Sequence, residues 1–145
     1  MSLLQKQEQL FKIVLYYIEK KIDGGVCHVI LDDKKAEKML GDEKQKDKVS
    51  TLNTYWKGLS WQESNNIANA STKHGVDVLP GEIDPYRARD LRVKSLLKKW
   101  DIKDDDGKDV PVTSENINRL PVAIVLALLI KYDETTVLTD EELKN

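Results

Sequence analysis

Hydrophobic positions in this chain gather into a few dense runs within an otherwise polar sequence. The longest is Leu120-Pro-Val-Ala-Ile-Val-Leu-Ala-Leu-Leu-Ile130, closed by Arg119 and Lys131. As a helix it would span roughly 16 Å at about 1.5 Å per residue, about half of a bilayer's hydrocarbon thickness. It therefore reads as a helix buried on most sides rather than a membrane span. A helix apolar all round needs neighbours on several faces, and in a small chain those can include another polypeptide. Leu120-Pro121 marks a break before it, because the residue preceding proline avoids the helical region. Pro121 is expected to open the helix at its first position.

Residues 3–22 read as a helix. Leu3, Leu10, Val14, Tyr17 and Ile22 recur at helical spacing, and Gly24-Gly25 supplies the stop. Ile13-Val-Leu-Tyr-Tyr-Ile18 is apolar at every position, more than one face of a surface helix requires. Its β-branched and aromatic content keeps a strand open as the alternative, and a partner on the second face is a further reading.

Val26–Leu31, bounded by Gly-Gly and Asp-Asp, predicts a strand, and Val49–Trp56 predicts a strand or extended segment. Ser60 and Glu63 fit a capping box for a helix that runs to about Lys73 and ends at His74-Gly75. Trp56 and Trp61 are expected to pack the corner between strand and helix. Val76–Gly81 is a loop. Asp84-Pro85 starts a helix over 85–100, and Thr113 or Ser114 caps a short one.

These elements sum to a mainly α fold, α+β only through a few short strands in the N-terminal half. The expected organisation is one small domain: an N-terminal helix and strand (1–31), a charged connector (32–48), a helical core (49–138) and a loose C-terminal tail (139–145).

Composition changes this picture at two places. In Asp32–Lys48, the acidic residues Asp32, Asp33, Glu37, Asp42, Glu43 and Asp47 alternate with as many lysines. Ala36, Met39 and Leu40 can support one helical turn; the rest reads as a solvated polyampholyte. The 85–100 segment carries Arg87, Arg89, Arg92, Lys94, Lys98 and Lys99 against Asp90 alone. The aspartates after it compensate, and cations in a last turn suit the helix dipole without a ligand. With Lys+Arg 23 against Asp+Glu 25, no global electrostatic case for nucleic acid exists.

Candidate chemistry is sparse. Cys27 is the single cysteine, so no intramolecular disulfide can form. His28 and His74 with one cysteine do not make a zinc site. The Asp104-Asp-Asp-Gly107 stretch fails as a calcium loop, because Ile102 falls on the first ligand position and Thr113 on the last. It reads as a turn. No catalytic constellation, cofactor motif or metal site is found, and no export signal precedes the first runs.

Tyr55-Trp-Lys-Gly-Leu-Ser-Trp-Gln-Glu63, Asp84-Pro-Tyr-Arg87, Leu97-Lys-Lys-Trp-Asp101, the Asp-Asp-Asp-Gly-Lys turn and Pro111-Val-Thr-Ser-Glu-Asn-Ile117 precede the Leu120-Pro121 helix in that order. Over residues 55–132 this resembles the tail assembly chaperones of long-tailed bacteriophages. The resemblance implies a non-enzymatic factor of the host cytoplasm. Such a factor binds apolar helices of a tape-measure protein and yields as tail-tube subunits polymerise. A homo-oligomer is compatible with it, and a membrane or nucleic-acid partner is not expected. Rival readings are a tail or connector component retained in the virion and a small regulator binding a host protein. The contact candidates are Leu10, Val14, Tyr17 and Ile18 in the N-terminal run, and Val122, Val125, Leu126 and Leu129 in the long one.

Overall fold

The computed structural model describes residues 9–75, 78, 79 and 81–136. The expected loose tail at 139–145 and the first residues of the expected 3–22 helix lie outside these, as does part of the 76–81 loop. The mainly α expectation is overturned. The fold is α+β, built on a four-stranded antiparallel sheet with strand order β2-β1-β3-β4.

The largest correction is at the N-terminal end. Leu10–Ile22 is strand β1, which hairpins into β2 (Gly25–Leu31) with Ile22 opposite Gly25. The Asp23-Gly24 turn lies between them, with Gly24 at φ 85°. Gly24-Gly25 therefore stops nothing helical; Asp-Gly between apolar segments is a hairpin signal. The apolar run in β1 is continuous because both faces of the strand are covered. Ile13 and Leu15 face the main core, whereas Tyr16 and Ile18 pack on the other side with Leu31, Ala36 and Met39.

Ala36 and Met39 belong to helix α1 (Asp33–Leu40), in the stretch expected to be a solvated connector. Asp32 caps it, its carboxylate accepting from the Lys35 amide at 2.7 Å. Two buried side chains are enough to order so charged a helix because the sheet supplies the other half of the apolar contact.

Strand β3 (Ser50–Lys57) pairs with β1 along its whole length, and both expected strands are present. Its alternation is strict, with Leu52, Thr54 and Trp56 buried. Thr54 is a buried hydroxyl with both functions used. It donates to the Ile13 carbonyl at 2.8 Å and accepts from the Trp56 indole N–H at 2.7 Å.

Helix α2 (Trp61–Ala70) starts at Ser60, whose hydroxyl accepts from the Glu63 amide. The Glu63 carboxylate pairs with Lys57 at 2.7 Å. Trp61 does not pack the corner with Trp56: it is 81% exposed, while Trp56 is fully enclosed.

Helix α3 (Pro85–Leu96) begins at the Asp84 cap as expected but stops early, and Leu97–Trp100 form strand β4. Local propensity favours helix in Leu-Lys-Lys-Trp. The open edge of β3 overrides it, pairing Thr54 with Trp100 and Tyr55 with Lys99. The Trp100 indole then donates to the Val110 carbonyl at 2.6 Å. The aspartate-rich segment is the turn expected, Asp104 accepting from the Asp106 and Lys108 amides and Gly107 standing at φ 78°.

Thr113 caps the short helix α4 (Ser114–Asn118), its hydroxyl accepting from the Asn116 amide at 3.1 Å. Helix α5 (Val122–Thr136) follows, with the Pro121 carbonyl accepting from the Ile124 and Val125 amides. Pro121 thus stands just before the first helical residue rather than on it. The main core lies between the sheet and α3, α4 and α5. Leu15, Trp56, Leu96 and Leu128 form its enclosed centre.

Candidate partner-binding face

Helix α5 is apolar around most of its circumference, but the fold covers only part of it. Ile124, Leu128, Leu129 and Tyr132 are buried against the sheet. Val122 and Ile130 remain 68% and 59% exposed, with Leu126 half-buried between them. These three lie at i, i+4 and i+8, so they form one ridge along the outward side of the helix.

A groove runs along each side of the ridge. Toward α3 the walls are Tyr86, Arg89, Val93, Val122 and Val125. Toward β2 and α1 lies the larger groove, about 560 Å³, with Ile30, Ala123, Ala127 and Ile130 on its apolar walls. Asp32, Asp33 and Glu134 stand at the rim of this second groove, and Leu126 lines both.

Three ties fix the helix in this orientation. The Lys131 ammonium donates to the Val14 carbonyl at 2.8 Å and to the Asp33 carboxylate at 2.7 Å. β2 pairs with β1 only from Tyr16 onward, so Lys131 meets an edge of β1 that no strand covers among the described residues. On the other flank Arg92 of α3 reaches Asp133 at 2.6 Å and lies over the Tyr132 ring. The Tyr132 hydroxyl donates to the Lys57 carbonyl at 2.9 Å, closing α5 onto the end of β3.

The candidates chosen from sequence do not share one surface. Val122 and Leu126 are on the ridge, Val125 lines the α3 groove and packs on the core, and Leu129 is a core residue at 5% exposure. Leu10, Val14, Tyr17 and Ile18 lie on a strand, not on a second apolar helix. Tyr17 faces the main core and Ile18 packs beside α1, while Leu10 and Val14 are half-buried on the same side of the sheet as Ile18. Burial, reinforced by the neighbouring Glu19 charge, raises the Tyr17 pKa above 10.0.

Residues of the face that were not singled out include Ile130, Ala123 and Tyr86. Within an unbroken apolar run no residue marks the helical phase. The polar end of the same helix does mark it. Asp133 and Glu134, one and two turns back, point to Leu126 and Ile130 as the solvent side.

Comparison with protein-family models, curated proteins and solved structures finds no match to this chain. The face must therefore be read from its own chemistry. Among the described residues no group of three histidines, cysteines or carboxylates is placed to hold a metal ion. No helix among them is long and apolar enough to cross a membrane. Among the described residues the titratable side chains that line the grooves are Tyr86, Arg89 and Asp90 on one and Asp32, Asp33, Lys131 and Glu134 on the other.

Proposed function

We propose that this chain is a non-catalytic binding protein whose docking face is the outward ridge of α5. Its client, on this reading, is an apolar helix of a tape-measure protein, the task implied by the resemblance to tail assembly chaperones. The observation that carries the reading is the Val122–Leu126–Ile130 ridge, three apolar side chains aligned on one helix between two grooves. Apolar side chains in that arrangement suit a partner helix that lays its own apolar positions into the grooves. Burying a fully exposed valine, leucine or isoleucine is worth about 1.5–3 kcal/mol, so a few residues suffice for a reversible contact. Reversibility fits a factor that must later give way to tail-tube subunits.

The residues that carry the resemblance run from β3 through α5 and end on this ridge. The N-terminal set of Leu10, Val14, Tyr17 and Ile18 is not part of the proposed face, because most of it supports the sheet. The test is co-expression with segments of the tape-measure protein followed by affinity capture. The wild-type chain is expected to retain a helical segment, and Leu126→Asp to lose it while keeping its circular dichroism spectrum. Capture that survives Leu126→Asp undiminished would remove the ridge from the reading.

A further inference from the structure

The two ends of the ridge carry opposite charges without ion-pair partners among the described residues, Arg89 at one and Glu134 at the other. Asp90 on the α3 groove is taken up by Lys94 at 3.1 Å. Beside its N-terminal half stands Arg89, with its guanidinium 5.3 Å from the centroid of the exposed Tyr86 ring. Among the described residues it has no carboxylate within ion-pair distance. At the C-terminal end Glu134 lines the larger groove together with Asp32 and Asp33, and it too has no ion-pair partner among the described residues. Among the described residues Lys131 is the one cation on that groove, and Asp33 already engages it.

We infer that the ridge pairs with a second copy of this chain, antiparallel, about a two-fold axis at Leu126. Such an axis sets Val122 of one protomer against Ile130 of its partner and Leu126 against its own equivalent. It also turns the Arg89 end of each ridge toward the acidic end of the other. An interface of this kind is self-complementary, so each attractive contact is made twice. Antiparallel α5 helices also bring the positive N-terminal end of one dipole to the negative end of the other. A parallel pairing would set like charges together and leave the acidic rim unopposed. The charge arrangement therefore selects a second copy in one orientation.

The dimer uses the same exposed ridge as the proposed client site but does not depend on the client. Where both exist they exclude one another. The dimer would then cover the ridge until a client helix displaces the partner.

Sedimentation velocity of the full chain over a wide concentration range tests this without any client. The wild type is expected to pass from monomer to dimer as concentration rises, at a midpoint that moves upward with salt. Leu126→Asp is expected to stay monomeric with unchanged circular dichroism. Arg89→Glu and Glu134→Arg, each a surface change, should each weaken the dimer about tenfold. Combining them in one chain should restore it, because the reversed pair is again complementary across the two-fold. A wild type that is monomeric throughout overturns the inference, as does a dimer indifferent to Leu126→Asp. A double variant weaker than either single one overturns the antiparallel arrangement. A chain that is always monomeric yet captures a tape-measure helix would leave the proposed function standing. A dimer that captures none would do the reverse.

Discussion

Two segments of this chain look alike on paper and differ in the fold. Ile13–Ile18 and Pro121–Ile130 are both unbroken apolar runs in a chain whose mean hydropathy is −0.50. The first is a strand between two others, with α5 and the core on one face and α1 beside the other. The second is a helix with one side in the core and the other in solvent. A strand presents only two faces, and here the main core covers one fully while α1 covers much of the other. A helix presents a full circumference, and one packed in an outer layer has only its inner part covered. Equal oiliness thus means burial in the one case and an available surface in the other.

The widest predicted gap lies within α5 itself. Leu128 is 1% exposed, and Leu128→Asp would place an unpaired carboxylate in the core. Its cost should exceed the roughly 2–5 kcal/mol of a buried leucine truncation, against a typical domain stability of about 5–15 kcal/mol. Insoluble or unfolded protein is expected. Leu126→Asp, half a turn away on the ridge, should give a soluble protein with a melting temperature close to the wild type. Equal behaviour of the two in a solubility assay would mean that α5 has no inner and outer side.

The same test applies to β1 across its two faces. Leu15→Ala removes a fully enclosed side chain opposite Leu52 and should cost about 2–5 kcal/mol in urea unfolding. Val14→Ala, on the neighbouring half-buried position, should cost about 1 kcal/mol or less. A reversal of that order would put the strand in the wrong register by one residue, since such a slip exchanges the faces.

How far these positions were legible from sequence depends on which period the run preserves. β3 was legible because Val49, Thr51, Thr54, Tyr55 and Trp56 are β-formers gathered just before Lys57-Gly58. β1 was not, because covering both faces erases the alternation and leaves Leu10, Val14 and Tyr17 to mimic a helix. Capping residues were reliable at Ser60, Asp84 and Thr113, where a side chain answers a backbone amide, while the Asp32 cap went unread inside the charged stretch. β4 was illegible on local grounds, since nothing in Leu97-Lys-Lys-Trp100 announces the open edge of β3. The candidate face was half legible. The run itself named α5, but its solvent side emerges only when the run is phased against Asp133 and Glu134.

A smaller effect is expected from the polar knot that joins β1 to β3. Thr54→Val keeps the shape but leaves the buried Trp56 indole N–H without its 2.7 Å acceptor. An unsatisfied buried donor costs about 1–3 kcal/mol, so unfolding should shift to lower urea with an unchanged slope. Thr54→Ser retains the hydroxyl and should recover part of the loss. If valine and serine variants unfold alike, the Trp56 contact contributes nothing beyond packing.

The smallest effect separates the two regions by charge. Tyr17 on β1 and Tyr132 on α5 both have pKa values above 10.0, in each case mainly because burial disfavours the phenolate. A raised acid pKa in the fold means that the unfolded chain releases its protons first. Both groups therefore contribute stability below about pH 10 that is lost as pH climbs through their folded values. The second causes differ in sign: Glu19 raises Tyr17, whereas Arg92 lowers Tyr132. Phenolate absorbance followed through an alkaline titration should show Glu19→Gln bringing one ionisation down and Arg92→Gln pushing another up. Both shifts should be small and salt-sensitive, since Glu19 is half exposed and charge at the surface is screened. Shifts in a common direction would mean that one of the two tyrosines does not sit beside the charge assigned to it.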